Sequence, residues 1–186
     1  MSTYHHGSLR PAVLRAAGKM LEKHGLASLS LREVARRAKV SHNAPYRHFP
    51  DRESLLAALA AEGFERLGAA LSKVPANRMG EAYVGFALEN PERFRLMFGG
   101  RISPEKYPEL KDHAATAFAE VEKSFAGLGG DAPRAAAAAW SLVHGLSHLI
   151  LDGHFAAERA VAGGFAPFVN GVVGGVRFAV RAQRSA

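Results

Sequence analysis

The chain has 186 residues, with 24 Lys/Arg against 17 Asp/Glu for a net charge of +7, and no cysteine, which excludes disulfides, thiolate catalysis and Cys-zinc sites. The lack of thiols suits a reducing compartment, and the start MSTYHHGSLR has no apolar run of the secretory kind, so a cytoplasmic protein is expected. Residues 1–52 hold ten Lys/Arg and three Asp/Glu while residues 53–186 hold fourteen of each, so the whole basic excess lies at one end, as a phosphate-binding surface requires or, more plainly, a solvated face.

Ser8 to His24 carries Val13, Ala16, Ala17, Met20 and Leu21 at helical spacing and stops at Gly25. The next helix opens on Ser30-Leu31-Arg32-Glu33. This is a capping box, in which the Ser30 hydroxyl and the Glu33 carboxylate each take a backbone N–H, with Leu29 and Val34 set for a hydrophobic staple. Leu31, Val34, Ala35 and Ala38 make its apolar face, Arg32, Arg36, Arg37 and Lys39 point elsewhere, and Val40 plugs the turn. A short second helix follows, capped by Ser41 or by Asn43. It carries Tyr46, Arg47 and His48 in a row, and Tyr46 and Phe49 share a face. Pro45 falls in its first turn. With Asn43 as cap the missing N–H costs little; with Ser41 as cap one bond to the cap carbonyl is lost. Pro50-Asp51 ends this helix and Asp51 caps the next. Leu31 to Phe49 thus reads as a helix-turn-helix with an exposed, polar second helix, the shape that enters a DNA major groove.

From Asp51 onward helix follows helix. Asp51 to Lys73 is long and amphipathic, with Leu55, Leu56, Leu59, Phe64, Leu67 and Leu71, and Pro75 breaks it. Arg78 to Asn90 carries Met79, Tyr83, Phe86 and Ala87 on one side. A helix starting at Pro91 carries Phe94, Leu96, Met97 and Phe98 and stops at Gly99-Gly100. Pro104 to Leu128, Ala132 to Asp152 (capped by Asp131) and Phe165 to Gln183 complete the series. The expected fold is all-α: a three-helix headpiece over residues 1–52 and a larger helical domain over residues 53–186, about nine helices in all. Val161 to Val180 is the most apolar stretch, but Pro167, Asn170, Arg177 and five glycines interrupt it, so it reads as a buried interface helix rather than a membrane span. Ala135 to Ala139 is smooth, and Gly171, Gly174 and Gly175 admit a close neighbour. Three glycines in a soluble helix, at about 1 kcal/mol each against alanine, imply a packing reason unless the helix frays or kinks there.

His144 and His148 are four apart with His154 beyond. That is metal-ligand spacing, but no Glu stands beside the first His and the nearest carboxylate is Asp152, so the pair reads as polar lining of a pocket or interface. His5-His6 suits a metal or, better, an arm near DNA. No hydrolase elbow, phosphate loop, nucleotide fingerprint or triad spacing occurs. No catalytic residue, metal or cofactor is therefore assigned, and an enzyme with an attached headpiece is the lesser alternative. Phe64, Phe86, Phe94, Met97, Phe98, Phe118 and Trp140 belong to the core, some of them lining an apolar pocket, with His144 as its polar member.

These residues resemble the TetR family of transcriptional regulators. The likeness rests on Leu31-Arg32-Glu33-Val34-Ala35, Val40-Ser41, Tyr46-Arg47-His48-Phe49-Pro50 and Glu53-Ser54-Leu55-Leu56, and runs without gaps from about Tyr4 to Leu59. The family usually has Gly where Lys39 stands, a position inclined to positive φ, so about 1 kcal/mol of strain is expected there. Trp140 to Leu146, with His144-Gly145, resembles the Trp-…-His-Gly signature of one subgroup, as do Tyr4 to Arg10 and Asn90 to Phe98.

The resemblance implies a homodimer, usually a repressor, whose last two helices form a four-helix bundle with the partner's. Ala135, Ala139, Phe168, Gly171, Val172 and Gly175 would lie at that interface. Headpieces held about 34–36 Å apart would read a near-palindromic double-stranded operator. His42, Asn43 and Ala44 would face base edges, Ala44 offering apolar contact. Tyr46 and His48 would hold phosphates and Arg47 either. Arg32 would reach a guanine or a phosphate, and Arg52 with the amide end of its helix would grip phosphate. A small-molecule effector in the second domain would bias headpiece spacing through the long helix from Asp51. The alternative within the same fold is a second domain that binds a protein partner instead.

Overall fold

The computed structural model describes residues 9–156, 158 and 162–175. Tyr4 to Ser8, with the His5-His6 pair, and residues 176–183 of the last expected helix lie outside them. Among the described residues the helical periodicities resolve into eight α-helices and no strand: α1 (Leu9–His24), α2 (Leu31–Ala38), α3 (Arg52–Leu71), α4 (Met79–Glu89), α5 (Pro91–Phe98), α6 (Pro108–Lys123), α7 (Ala132–Leu151) and α8 (Phe165–Gly175). No helix among these residues is long and apolar enough to cross a membrane. Two expected elements differ. The helix expected from Pro104 begins at Pro108, because a proline inside it would lack the N–H and crowd the preceding turn, whereas at the first position it costs nothing. The second helix of the helix-turn-helix is a 3₁₀ segment, Pro45–Arg47.

The described residues form two compact units. One comprises the described residues up to Glu65 together with Asn90–Ala114; the other comprises Arg66–Glu89 and the described residues from Ala115 on. In the first, Val13, Met20, Leu21, Val34, Phe49, Leu55, Leu59 and Phe94 are buried, each such side chain contributing roughly 1.5–3 kcal/mol.

Charged groups explain why α5 joins the first unit. Glu22 of α1 accepts the backbone N–H groups of Glu92 (3.2 Å) and Arg93 (3.0 Å), satisfying donors that the α5 N-terminus leaves open. Arg93, only 4% exposed, donates from Nη1 to the Leu59 carbonyl at 3.0 Å and lies 3.5 Å from Glu62. Gly18 makes the room: a Cβ there would stand 2.5 Å from Arg93 Nη2.

In the second unit α4 packs against α7 and α8. Tyr83, Val84 and Ala87 from α4, Ala136, Val143, Leu146 and Ile150 from α7, and Val169 from α8 are buried. Asn170 donates to Glu81 at 3.2 Å, and Arg78 pairs with the same carboxylate at 2.7 Å.

Candidate nucleic-acid interface and cavity

The Ser30 hydroxyl caps α2 by accepting the Glu33 N–H at 3.2 Å. The reciprocal half of the expected capping box is replaced. Glu33 accepts from Arg36 Nε at 2.8 Å and Arg37 Nε at 3.2 Å, and these guanidiniums, Arg36 foremost, hold its carboxyl down to about 2. Arg36 and Arg37 are thereby tied to α2, while Arg32 is exposed.

Lys39 ends α2 in the left-handed region, φ 56° and ψ 42°. Its N–H reaches the Arg36 carbonyl (3.3 Å) and the Val40 N–H reaches that of Ala35 (3.1 Å), a Schellman closure that glycine usually makes. Beyond it the chain advances by tight turns. Ala44 donates to Ser41 (2.9 Å), Arg47 to Ala44 (3.3 Å), and both His48 (3.0 Å) and Phe49 (2.9 Å) to the Pro45 carbonyl. Pro45 has no N–H to offer the Ser41 carbonyl and its ring crowds that oxygen, so Ala44 takes the place one residue earlier. The 3₁₀ segment starts after Ala44 with no side-chain cap, so neither Ser41 nor Asn43 caps it.

This geometry sorts the segment into an anchored and an open side. Pro45 and Phe49 are buried, Ala44 is half-buried, and His42, Asn43, Arg47 and His48 are exposed. Tyr46 is 42% exposed, its ring edge-on to His42 at 6.4 Å. The Arg10 guanidinium lies 5.8 Å from the Phe49 ring centre and pairs with Glu109 at 2.7 Å.

At the start of α3 the capping is mutual. Asp51 Oδ1 accepts the Ser54 N–H at 2.7 Å and Ser54 Oγ accepts the Asp51 N–H at 3.3 Å. The backbone bond from Ser54 holds the Asp51 carboxyl below its ordinary range. Arg52 donates to the carbonyls of Leu29 and Leu26, at 2.7 Å each, so this guanidinium clasps the turn between α1 and α2.

The second unit holds a cavity of about 200 Å³ that is partly open to the surface. Met79, Gly80 and Tyr83 of α4 form one wall, Ala139, Trp140, Leu142 and Val143 of α7 another, and Val121 and Val173 contribute from α6 and α8; Leu71, Ala76, Ser124 and Phe125 complete it. The Tyr83 hydroxyl lies 3.0 Å from His144 Nδ1 and is hydrogen-bonded by Trp140. Indole N–H is only a donor, so the hydroxyl accepts from Trp140. Burial, then the nearby His148, lowers the His144 pKa, and burial raises that of Tyr83. The His144 and His148 rings meet edge-on at 4.7 Å.

Of the eight residues expected around a pocket, Trp140 lines this cavity. His144 stands behind Tyr83, Phe118 packs on Trp140 at 5.1 Å, and Phe86 is buried in the same unit. Phe64, Phe94 and Phe98 form a ring cluster in the first unit, at 5.1 and 4.9 Å, with Met97 beside Gly63. Helical periodicity marked all of them as inward-facing but could not say toward which core. Tyr83, expected only as one member of the α4 stripe, lines this cavity.

Of the expected interface residues, Ala135 is buried within the unit and Ala139 faces the cavity. Phe168 packs on Phe155 at 5.6 Å, Val172 is half-buried, and Gly171 and Gly175 are exposed.

Residues 13–59 match the family of bacterial regulatory proteins, tetR family, and residues 76–170 match the tetracyclin repressor-like C-terminal domain. The chain belongs to the TetR family. TetR-family proteins are DNA-binding transcriptional regulators, and this one carries both the helix-turn-helix and the helical C-terminal domain.

A structure of a protein of unknown function from Rhodococcus sp. RHA1 is 35% identical, with 94% of each chain covered and a TM-score of 0.73. The same fold occurs in the TetR-family transcriptional regulator PfmR from Thermus thermophilus, at 21% identity, 89% and 98% coverage and a TM-score of 0.62. It recurs in a TetR transcriptional regulator from Rhodococcus sp. RHA1, at 17% identity, 95% and 100% coverage and a TM-score of 0.66. No curated protein is significantly similar to the chain.

Proposed function

We propose that this TetR-family protein is a repressor that binds a near-palindromic operator as a homodimer and leaves it when a small molecule enters the second unit. The observation that carries the reading is the two-sided segment from His42 to Phe49. Pro45 and Phe49 hold it from within, and Tyr46, Arg47, His42 and Asn43 are left outward. His42, Asn43 and Ala44 then meet base edges and Tyr46 and His48 the phosphates, with Arg47 and Arg32 reaching either. Arg52 contributes chiefly by holding the turn it clasps, and the α3 amide end faces phosphate.

Dimerisation is supported by the exposed small surface of the second unit. A Cβ at Gly145, Gly171, Gly174 or Gly175 would meet nothing within 4 Å, and Leu149 is 43% exposed. Such a face invites a second helix pair. The cavity supports the effector, and α3, one unbroken helix of 20 residues, is the covalent route by which occupancy would bias the headpieces.

The test is footprinting on DNA upstream of the protein's own gene, followed by a screen for compounds that remove the footprint. A protected near-palindrome lost on ligand addition supports the proposal. A footprint that no ligand of the cavity disturbs would return the second unit to a protein-binding role, and no footprint anywhere on that DNA would count against the repressor reading.

A further inference from the structure

Among the described residues, none that lines the cavity is an Asp, Glu, Lys, Arg or His. Its polar side chains are also already engaged: the Tyr83 hydroxyl between Trp140 and His144, and the Ser124 hydroxyl as donor to the Val121 carbonyl at 2.7 Å. What the described lining presents to a ligand is mostly hydrocarbon and aromatic faces, with a smaller polar share and no charged side chain. An ionised ligand entering this space would surrender its hydration with no counter-charge to replace it. Size is limited too. An apolar protein cavity of roughly 150 Å³ holds benzene, so about 200 Å³ suits one substituted ring or a small bicycle. Gly80 helps to set that limit, because a Cβ there would stand 3.0 Å from Val173 Cγ2 and 3.5 Å from Val143 Cγ1.

We propose that the cavity between α4, α7 and α8 takes an uncharged, apolar, ring-sized molecule and rejects carboxylates and ammonium ions of the same shape. The inference rests on the effector reading above but is separable from it, since it concerns what binds rather than what binding does to DNA.

Three probes built on the same para-tolyl frame test it on the full chain: p-xylene, p-toluate and 4-methylbenzylammonium. Trp140 is the only tryptophan and lines the cavity, so its emission reports occupancy directly. p-Xylene is expected to shift that emission and to raise Tm by roughly 3–5 °C at ten times its Kd. The two ions should bind at least roughly 100-fold more weakly. Gly80→Leu and Ala139→Leu fill the space from opposite walls, and each should abolish the p-xylene response. If one variant misfolds, the other, checked by its own Tm, still decides.

Equal or tighter binding of either ion overturns the proposal, as does a p-xylene response that survives in a folded, filled variant, or the absence of any p-xylene response. The effector reading fails differently. p-Xylene-class ligands would bind while the operator complex stayed intact. Conversely, operator release by an ionised compound, with p-xylene inert, would keep the effector reading and refute the ligand class.

Discussion

The Arg52 guanidinium donates from Nε to the carbonyl oxygen of Leu29 at 2.7 Å, and from Nη2 to that of Leu26 at the same distance. A residue placed by family likeness on DNA phosphate is therefore also a clasp on the turn that positions α2. Arg52→Ala should lower headpiece stability by roughly 1–2 kcal/mol as well as weaken DNA binding. Urea denaturation and a salt-dependent binding titration separate the two. A loss of affinity with unchanged stability would make Arg52 a phosphate contact alone.

Tyr46 has no such internal duty. Tyr46→Ala should leave Tm within about 1–2 °C of the parent but weaken binding to all sequences alike and flatten its salt dependence, whereas changes at His42 or Asn43 should alter sequence preference. Gel-shift titrations against a set of single-base operator variants distinguish these behaviours. Unchanged affinity in Tyr46→Ala would sink the proposed docking.

Lys39 sits at φ 56° with its side chain exposed. Lys39→Gly should raise stability by up to about 1 kcal/mol by removing the left-handed penalty, and Lys39→Val should lower it. The corresponding shift in the urea midpoint, at constant slope, is the measurement.

Glu22 joins α1 to the N-terminus of α5. Glu22→Ala leaves the Glu92 and Arg93 amides without their carboxylate, at a cost of about 1 kcal/mol. Amide hydrogen exchange should quicken at the first turn of α5 before it quickens in α7. If α7 opened first, the cap would be incidental.

Acid should loosen the second unit through His144. Its folded-state pKa is lowered by burial and by His148, so between that value and the ordinary one, about 6.5, the unfolded chain binds the extra proton. Stability is then fully present above pH about 6.5 and declines as pH falls through the folded-state value. Tm followed from pH 8 to 5 should fall in the parent and stay flatter in His144→Gln over that window.

Much of the headpiece was legible beforehand because its signals are local. Ser30, Asp51 and the stripe from Leu55 to Leu71 each act within a turn or two of themselves, and they stand where periodicity and capping put them. The 3₁₀ form of Pro45–Arg47 was half legible: spacing puts Pro45 in the first turn and a bond is lost only with Ser41 as cap, but neither alternative gives Ala44 the Ser41 carbonyl or leaves both Ser41 and Asn43 without a capping role. Glu33 shows the opposite limit. Its spacing from Ser30 satisfied the capping box, yet Arg36 and Arg37 on the same helix competed for the carboxylate and won with charge-assisted bonds.

The sequence by itself determined where the helices run, which face of each turns inward, and where the basic excess lies, because these follow from spacing along the chain. Only the tertiary structure decided which inward faces meet. It brought Glu22 to α5 across seventy residues and housed Arg93 against Gly18. It also divided one aromatic set into a packed cluster at Phe64, Phe94 and Phe98 and a cavity wall at Trp140. The physical reason is that a hydrophobic stripe specifies burial without specifying a neighbour. Neighbours are chosen by shape and by paired polar groups contributed from distant parts of the chain.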